Sequence, residues 1–391
     1  MKLEERLQAN GRSLKEFFTL PYPDMQAIVG IEDRLIMDEL NFDRILLRQE
    51  LNDALQSINN EQSYAYHTIL DAVNMDRGGF YFVYGYGGTG KTFLWRTLSV
   101  SLRCERKIVL NVASSGIASL LLPNGRTAHS KFKIPLNINE DSVCNIKQGS
   151  SLAKLVSRAS LIIWDESPML NKYCYEALDK SLKDILRYEQ SYKSNMAFAG
   201  KVVVLGGDFR QILPVIPMGS RQDIVQASIN SSYLWDHCSV LNLTRNMHLA
   251  SSDIFEDNSE VNEFAKWLIQ IGDGFAGDST DGESEVLIPD DMLINDTEDG
   301  FGELVHFVYP NIVSNLNHTD YFKERSILAP TLEVVNEVNN RLPPHQICLK
   351  EGVPVMLLRN IDQSNGLCNG TRMQVQKEAI PFDSFICNDY K

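Results

Sequence analysis

Phe80-Tyr81-Phe82-Val83-Tyr84-Gly85-Tyr86-Gly87-Gly88-Thr89-Gly90-Lys91-Thr92 is the stretch that decides the fold. Its first five residues, aromatic and β-branched, read as a buried strand. The next eight match the glycine-rich loop that closes around phosphate groups. Gly85, Gly87, Gly88 and Gly90, with Thr89 among them, let backbone N–H groups turn inward where a Cβ would obstruct them. Lys91 is placed to reach the β- and γ-phosphates, and the Thr92 hydroxyl to ligate Mg²⁺. A helix expected from Thr92 to about Arg103 sets its positive end beneath the loop. The alternative is a glycine-rich turn with a chance lysine. Both elements that must flank the motif are present, which argues against that alternative.

Downstream, Leu161-Ile162-Ile163-Trp164 reads as a buried parallel-type strand ending at Asp165-Glu166-Ser167-Pro168. Beyond a phosphate loop this is a paired-carboxylate signal: Asp165 to hold Mg²⁺, Glu166 to orient or deprotonate the attacking water. Lys201 to Leu205 is another apolar run, closed by Gly206-Gly207-Asp208-Phe209-Arg210-Gln211. A polar amide just past a central strand can sense a γ-phosphate, and Gln211 is the candidate. Between these lie a strand from Lys107 to Val112 and a helix through Leu122 opened by Ala113-Ser114-Ser115-Gly116. A short helix from Ser151 to Arg158 and a long one from about Lys172 to Glu189 complete the set. Strands alternating with helices, polar groups at each carboxyl end, make a parallel α/β sheet with its nucleotide at that edge.

The segment from Pro123 to Pro135 alternates Arg126, Lys131 and Lys133 with Thr127, His129, Ser130 and Phe132. Single-strand tracks use this mixture, cations and hydroxyls for the backbone and a ring for stacking a base; an ordinary basic loop is the alternative. Upstream, the pattern is helical from Met1 to about Asn60, and Asp33 to Asn52 carries one broad apolar face. A second helix covers about Asn60 to Met75. Gln62 in its first turn either reads adenine through its carboxamide or faces water.

Composition is ordinary for a globular chain of 391 residues, 43% hydrophobic and 23% charged, with no tract apolar enough to span a membrane. Met-Lys-Leu-Glu-Glu-Arg at the N-terminus lacks the apolar core of a secretory signal. The seven cysteines, scattered and without a Cys-x-x-Cys pair, argue for a reducing compartment and no zinc site. Net charge is −14, but Ser251 to Glu303 holds sixteen Asp and Glu against Lys266 alone, leaving the rest near +1. A DNA-binding surface elsewhere is therefore not excluded, whereas this acidic stretch is unsuited to phosphate.

Taken together, Gly85–Thr92, Val112–Pro135, Ile163–Met169, Gly206–Val215, Leu243–Met247, Ile327–Asn339 and Val353–Arg372 resemble the Pif-one type of superfamily-one 5′-to-3′ DNA helicases, particularly the branch of plants and Helitron-like elements. The likeness runs from about Asn10 to Arg372, and Gly-Gly-Asp-Phe-Arg-Gln after a strand is far more selective than the loop alone. The resemblance implies a P-loop NTPase of two RecA-like parallel-sheet domains, the second incomplete, behind a helical leader. Residues 1–60 would be the leader and 61–235 the ATP-binding motor domain. An acidic linker would cover 236–310, and a partial second domain 311–391 with a strand at Ser326–Ala329, a helix at Leu332–Leu342 and a strand at Val353–Asn360. It makes Gln62 the adenine reader, Gln211 the γ-phosphate sensor, and Gly125 to Phe132 a DNA contact. Thr331, Asn369 and Thr371 would touch the DNA backbone, though turn chemistry accounts equally for the last two. Single-stranded and tailed duplex DNA, ATP and Mg²⁺, a monomeric state and a nuclear (alternatively mitochondrial) location are further implications.

Two departures stand beside the likeness. His248 occupies the place of an arginine that in the family reaches the γ-phosphate, and it lacks the guanidinium fork. The family's last two motifs, expected downstream, are not found in the nineteen residues after Arg372. An arginine finger is worth about 10³ to 10⁵ in rate, roughly 4 to 7 kcal/mol of barrier. Nucleotide binding rests instead on Lys91, Thr92, Asp165 and backbone amides. The expectation is split: ATP–Mg²⁺ binding retained, hydrolysis and unwinding by this chain alone weak or absent. A non-catalytic module that binds ATP and DNA stays open, and a ring-forming ATPase of another class is disfavoured by Gly206–Val215 and by the second strand–helix set near Ser326.

Overall fold

The computed structural model describes residues 34–189, 192–247, 259–277, 286–294, 299–315, 321, 325–329, 331–341, 354–356 and 372–374. The chain divides into two units, Met1–Phe264 with Met356–Thr371, and Ala265–Val355 with Arg372–Lys391. The first is built on a six-stranded sheet. Its strands are β1 (Gly79–Tyr84), β2 (Ile108–Ala113), β3 (Arg126–Thr127), β4 (Ala159–Asp165), β5 (Val202–Gly207) and β6 (Cys238–Asn242). They lie in the order β3-β2-β4-β5-β1-β6, every neighbouring pair parallel. The loops leaving β1, β4 and β5 therefore emerge side by side at one carboxyl edge, where open parallel sheets bind ligands.

The central strands are apolar without interruption because both faces are covered. Successive side chains alternate between two cores: Val203 and Leu205 join Phe82, Leu110, Ile162 and Trp164 on one face. Val202 and Val204 join Val83, Val109 and Ile163 on the other. The second core is closed by α3 (Asn60–Asn74) and α4 (Lys91–Cys104), through Ile69, Leu94, Leu98 and Leu102. The first is closed largely by α8 (Lys172–Leu186), through Tyr175, Leu178 and Leu182. Between α4 and α8 come α5 (Gly116–Leu120), α6 (Ala128–Phe132) and α7 (Ser151–Arg158), and α9 (Arg221–Ala227) follows β5.

The leader differs from its sequence reading. In place of one helix with a single apolar face there are two, α1 (Arg34–Leu40) and α2 (Arg44–Ser57). The Asp43 carboxylate accepts hydrogen bonds from the N–H groups of Ile45 (2.9 Å) and Leu46 (3.3 Å), restarting the helix with a new cap. Phe42 turns its ring beneath the Arg103 guanidinium, 4.3 Å from the ring centre. Ile36 is buried whereas Ile45 and Leu46 are exposed, so the apolar residues do not share a face. The sheet also runs past position 235: β6 pairs with β1 inside the stretch read as linker. Its single buried position, Leu241, gives an edge strand too weak an apolar signal to be seen in sequence.

In the second unit α11 (Gly300–Val308) is capped by Asp299 and followed by α12 (Ile312–Asn315) and α13 (Leu332–Arg341). β7 (Pro354–Met356) and β8 (Arg372–Gln374) form a two-stranded ladder. α10 (Ser259–Asp273) crosses the division in sequence. The helix expected at 332–342 is α13. Ser326–Ala329 is not a strand: it pairs with nothing in a ladder among the described residues, and Leu328 is exposed. His248, Asn369, Thr371 and most of the leader lie outside the described residues.

Candidate nucleotide site

β1 ends at Tyr84 and α4 begins at Lys91, so the loop spans Gly85 to Gly90. Gly90 caps α4 in the left-handed region (φ 84°), and a Cβ there would collide with Gln62 Nε2, so only glycine fits. Gln62 is not water-facing; it is 1% exposed. Its Nε2 donates to Thr89 O at 3.0 Å, and its Oε1 accepts from Asn59 N–H at 3.2 Å, closing a capping box with the Asn59 side chain. These two bonds use one N–H and one lone pair of the carboxamide. The Thr89 hydroxyl donates to Tyr86 O at 2.8 Å and tightens the turn.

Lys91 is buried, its ammonium donating to Gly85 O and, at 3.4 Å, to Tyr86 O. These acceptors are neutral carbonyls. The carboxyls of Asp165 and Glu166 both feel the Lys91 charge. Thr92, in the first turn of α4, is exposed, leaving its hydroxyl accessible.

Asp165 closes β4 and is 4% exposed; its Oδ1 has no hydrogen-bond partner. Burial pushes its carboxyl up, opposed by the Trp95 indole N–H, the Glu166 amide and the Lys91 ammonium. Trp95 Nε1 itself closes no hydrogen bond of normal geometry, so donor and acceptor face one another unpaired. Glu166 has φ 52°, ψ 40°, a left-handed conformation that costs a residue with a Cβ about 1 kcal/mol or more. Its carboxyl is also raised, first by burial and then by the charges of Asp165 and Asp208, against the pull of Lys91. Asp208, just past β5, accepts from Arg210 N–H at 3.0 Å. Gln211 lies exposed beyond it, its own N–H donating to Asp208 O at 3.1 Å.

A further brace was not legible in sequence. Leu243 N–H donates to Tyr84 O and Met247 N–H to Gly88 O, both at 2.8 Å, laying residues 243–247 along the loop. The Tyr86 hydroxyl donates to Thr244 O at 2.6 Å, and Glu61 accepts from Thr244 N–H at 2.6 Å and Arg245 N–H at 3.2 Å. Slight burial would raise the Glu61 carboxyl, but the Thr244 and Arg245 bonds hold it below the usual range. The only sequence signal here is the motif-like run at 243–247 itself; nothing marks Glu61 as its partner.

A divalent cation fits this edge. Its residues offer a buried carboxylate at Asp165 and an accessible hydroxyl at Thr92. Among the described residues no three His, Cys, Asp or Glu side chains gather into a metal cluster.

The proposed strand track is corrected in part. Phe132 is fully buried against Trp164 (ring centres 6.0 Å apart), so it is core and not a stacking platform. Thr127 is buried and caps α6, accepting from Ser130 N–H at 3.4 Å. Lys131 pairs with buried Glu39 at 2.7 Å, and Glu39 also faces Arg103 at 3.6 Å. His129 and Ser130 are half-buried; Arg126 and Lys133 remain exposed. In the second unit Thr331 is exposed and caps α13 through Val334 N–H at 3.4 Å.

A parallel sheet with a glycine loop, its lysine and a carboxylate pair at the carboxyl edge defines a P-loop nucleotide-binding protein. The model of the PIF1-like helicase family matches residues 57–282, more than half of the chain, and the chain belongs to that family. A second model, for the 2B domain of DNA helicase Pif1, matches residues 333–377. The chain is 31% identical over 156 residues to the ATP-dependent DNA helicase Pif1 of a Psychrobacter species, covering 39% of this chain and 22% of that one. To the ATP-dependent DNA helicase PIF4 of Trypanosoma brucei brucei it is 28% identical over 160 residues, 40% of this chain and 18% of that one. The matches thus span less than a third of those relatives' length. The crystal structure of Bacteroides Pif1 helicase in complex with ADP-AlF3 and ssDNA superposes with a TM-score of 0.51 at 19% identity. That superposition covers 81% of this chain and 70% of the other, and it establishes the shared fold.

Proposed function

We propose that this chain is the motor of an ATP-dependent DNA helicase, hydrolysing ATP to move along single-stranded DNA 5′ to 3′ and open tailed duplexes. The observation that carries the reading is the carboxyl edge itself. Lys91 is held there by neutral carbonyls alone, beside the unpaired oxygen of Asp165. A cation held by dipoles keeps its charge for an incoming phosphate, and a buried carboxylate oxygen without a partner gains one when a metal binds.

Gly85 to Gly90 would present their amides to the phosphates, Lys91 would reach the β- and γ-groups, and Thr92 with Asp165 would hold Mg²⁺. When bound, that ion neutralises charge on the phosphate oxygens. Glu166 is set to accept the proton of the attacking water: burial and its acidic neighbours raise its affinity for a proton toward the range a general base needs. Gln62 and Met247 border the loop where the base would lie. Arg126 and Lys133 are the exposed cations of the strand track, so binding would be salt-dependent and weakly sequence-selective. Membership of the plant and Helitron-like branch, a monomeric state and a nuclear location belong to the same reading.

Titration with a non-hydrolysable ATP analogue is expected to show Mg²⁺-dependent heat, lost in Lys91→Ala. Displacement of a 5′-tailed duplex is expected to require ATP and Glu166. Heat without displacement would instead identify an ATP- and DNA-binding module, the reading that His248 favours; no heat at all would overturn the nucleotide site.

A further inference from the structure

Glu166 is held in direction by two neighbouring serines and by Tyr175, which lies outside the nucleotide motifs. Its left-handed backbone is flanked by two carbonyls, and each is held by a donor from a different element. On one side Ser114 N–H, just past β2, donates to Asp165 O at 3.0 Å. On the other the Tyr175 hydroxyl, on α8, donates to Ser167 O at 2.6 Å. The Ser167 hydroxyl in turn donates to Gly206 O, at the end of β5, at 3.0 Å. Pro168 fills the space over Gly207. Tyr175 is fully buried, its ring 4.5 Å from that of Trp164, whose indole donates to Ser114 Oγ at 3.1 Å. One aromatic pair therefore ties both ends of the bend together.

We propose that Tyr175, acting through Ser167 and with Ser114 as its counterpart, is a positioning residue that aims Glu166 for the hydrolytic step. A left-handed residue with a Cβ relaxes toward ordinary backbone angles unless its neighbours over-determine it. Relaxation would rotate the Glu166 side chain away from the phosphate edge while leaving the glycine loop untouched. The hydroxyl is the one part of Tyr175 that packing does not require, since a phenyl ring fills the same space. The inference rests on the reading of Glu166 given under Proposed function.

Tyr175→Phe in the full chain separates aim from packing. The expected result is a fall of about tenfold or more in kcat for ATP hydrolysis stimulated by single-stranded DNA. Affinity for a non-hydrolysable ATP analogue should stay within about twofold, since only a step after binding is touched. Backbone amides of Glu166, Ser167, Met169 and Leu170 should exchange hydrogen faster while those of α8 do not. Ser167→Ala, which removes the tie to Gly206, should give the same signature and serves if Tyr175→Phe folds poorly. Unchanged exchange at 166–170 would overturn the proposal, as would a loss of turnover that merely tracks lost affinity and faster exchange across α8. Should the parent chain not hydrolyse ATP at all, the proposed function fails separately, and the exchange measurement still decides whether Tyr175 holds the bend.

Discussion

Lys91 is buried and Lys131 half-buried, and the protein uses the two lysines in opposite ways. Lys91 is gripped by the carbonyls of Gly85 and Tyr86, with carboxylates only at longer range. Lys131 is gripped by the carboxylate of Glu39, itself buried and facing Arg103. A charge neutralised at contact distance is spent on structure. A charge held by dipoles stays available to a ligand of opposite sign. The difference separates the nucleotide edge from the 126–133 segment, although both mix small, hydroxylated and cationic residues in sequence.

The sharpest way to break the comparison is to remove each cation in turn. Lys91→Met is expected to lower ATP turnover about 10² to 10³-fold, the scale of one lost charge-stabilising donor. Lys131→Met should leave turnover per folded molecule nearly unchanged. Steady-state hydrolysis normalised to the folded fraction checks both, and equal losses would erase the distinction. Next in size, Glu39→Gln strands Arg103 and Lys131 without their counter-charge and should cost about 3 kcal/mol in urea denaturation. Adding Lys131→Met should recover part of that loss, because one of the two stranded charges is then gone. A single variant as stable as the parent would mean that Glu39 is not the clamp.

Phe132→Leu sharpens the comparison at the aromatic position. As a core residue it should cost about 1 to 2 kcal/mol of stability with no change in single-strand affinity at fixed salt. A ring stacked on a base would lose about 1 to 3 kcal/mol of binding instead. The smallest effect belongs to His129, whose imidazole burial holds below its ordinary value of 6.5. The folded state binds fewer protons there than the unfolded one. Its contribution to stability is therefore complete above pH 6.5 and is lost as pH falls through the lowered folded value. His129→Gln should flatten the stability profile in that window, measured by denaturation at successive pH values.

The nucleotide edge was legible because its signals are local. Glycine spacing, an apolar run closed by Asp165-Glu166 and another closed by Gly206-Gly207-Asp208 each report a strand end without reference to the rest of the chain. The leader was less legible, since the apolar spacing of Asp33 to Asn52 fits one helix while the Asp43 cap makes two. The strand expected at Ser326 misled for a related reason: four apolar or small residues in a row carry no information about a pairing partner.

By itself the sequence determined the class of sheet, the loop and the order of polar groups along its carboxyl edge. Glycine torsions and apolar continuity are properties of neighbours in the chain. Only the tertiary structure decided that Lys131 is spent on Glu39, 92 positions away, and that Glu61 braces Thr244 across 183. It also decided that Phe132 is core and that Tyr175 reaches the bend at Glu166. Partners so distant are chosen by packing, which must satisfy every buried polar group at once, and no spacing rule along the chain carries that constraint.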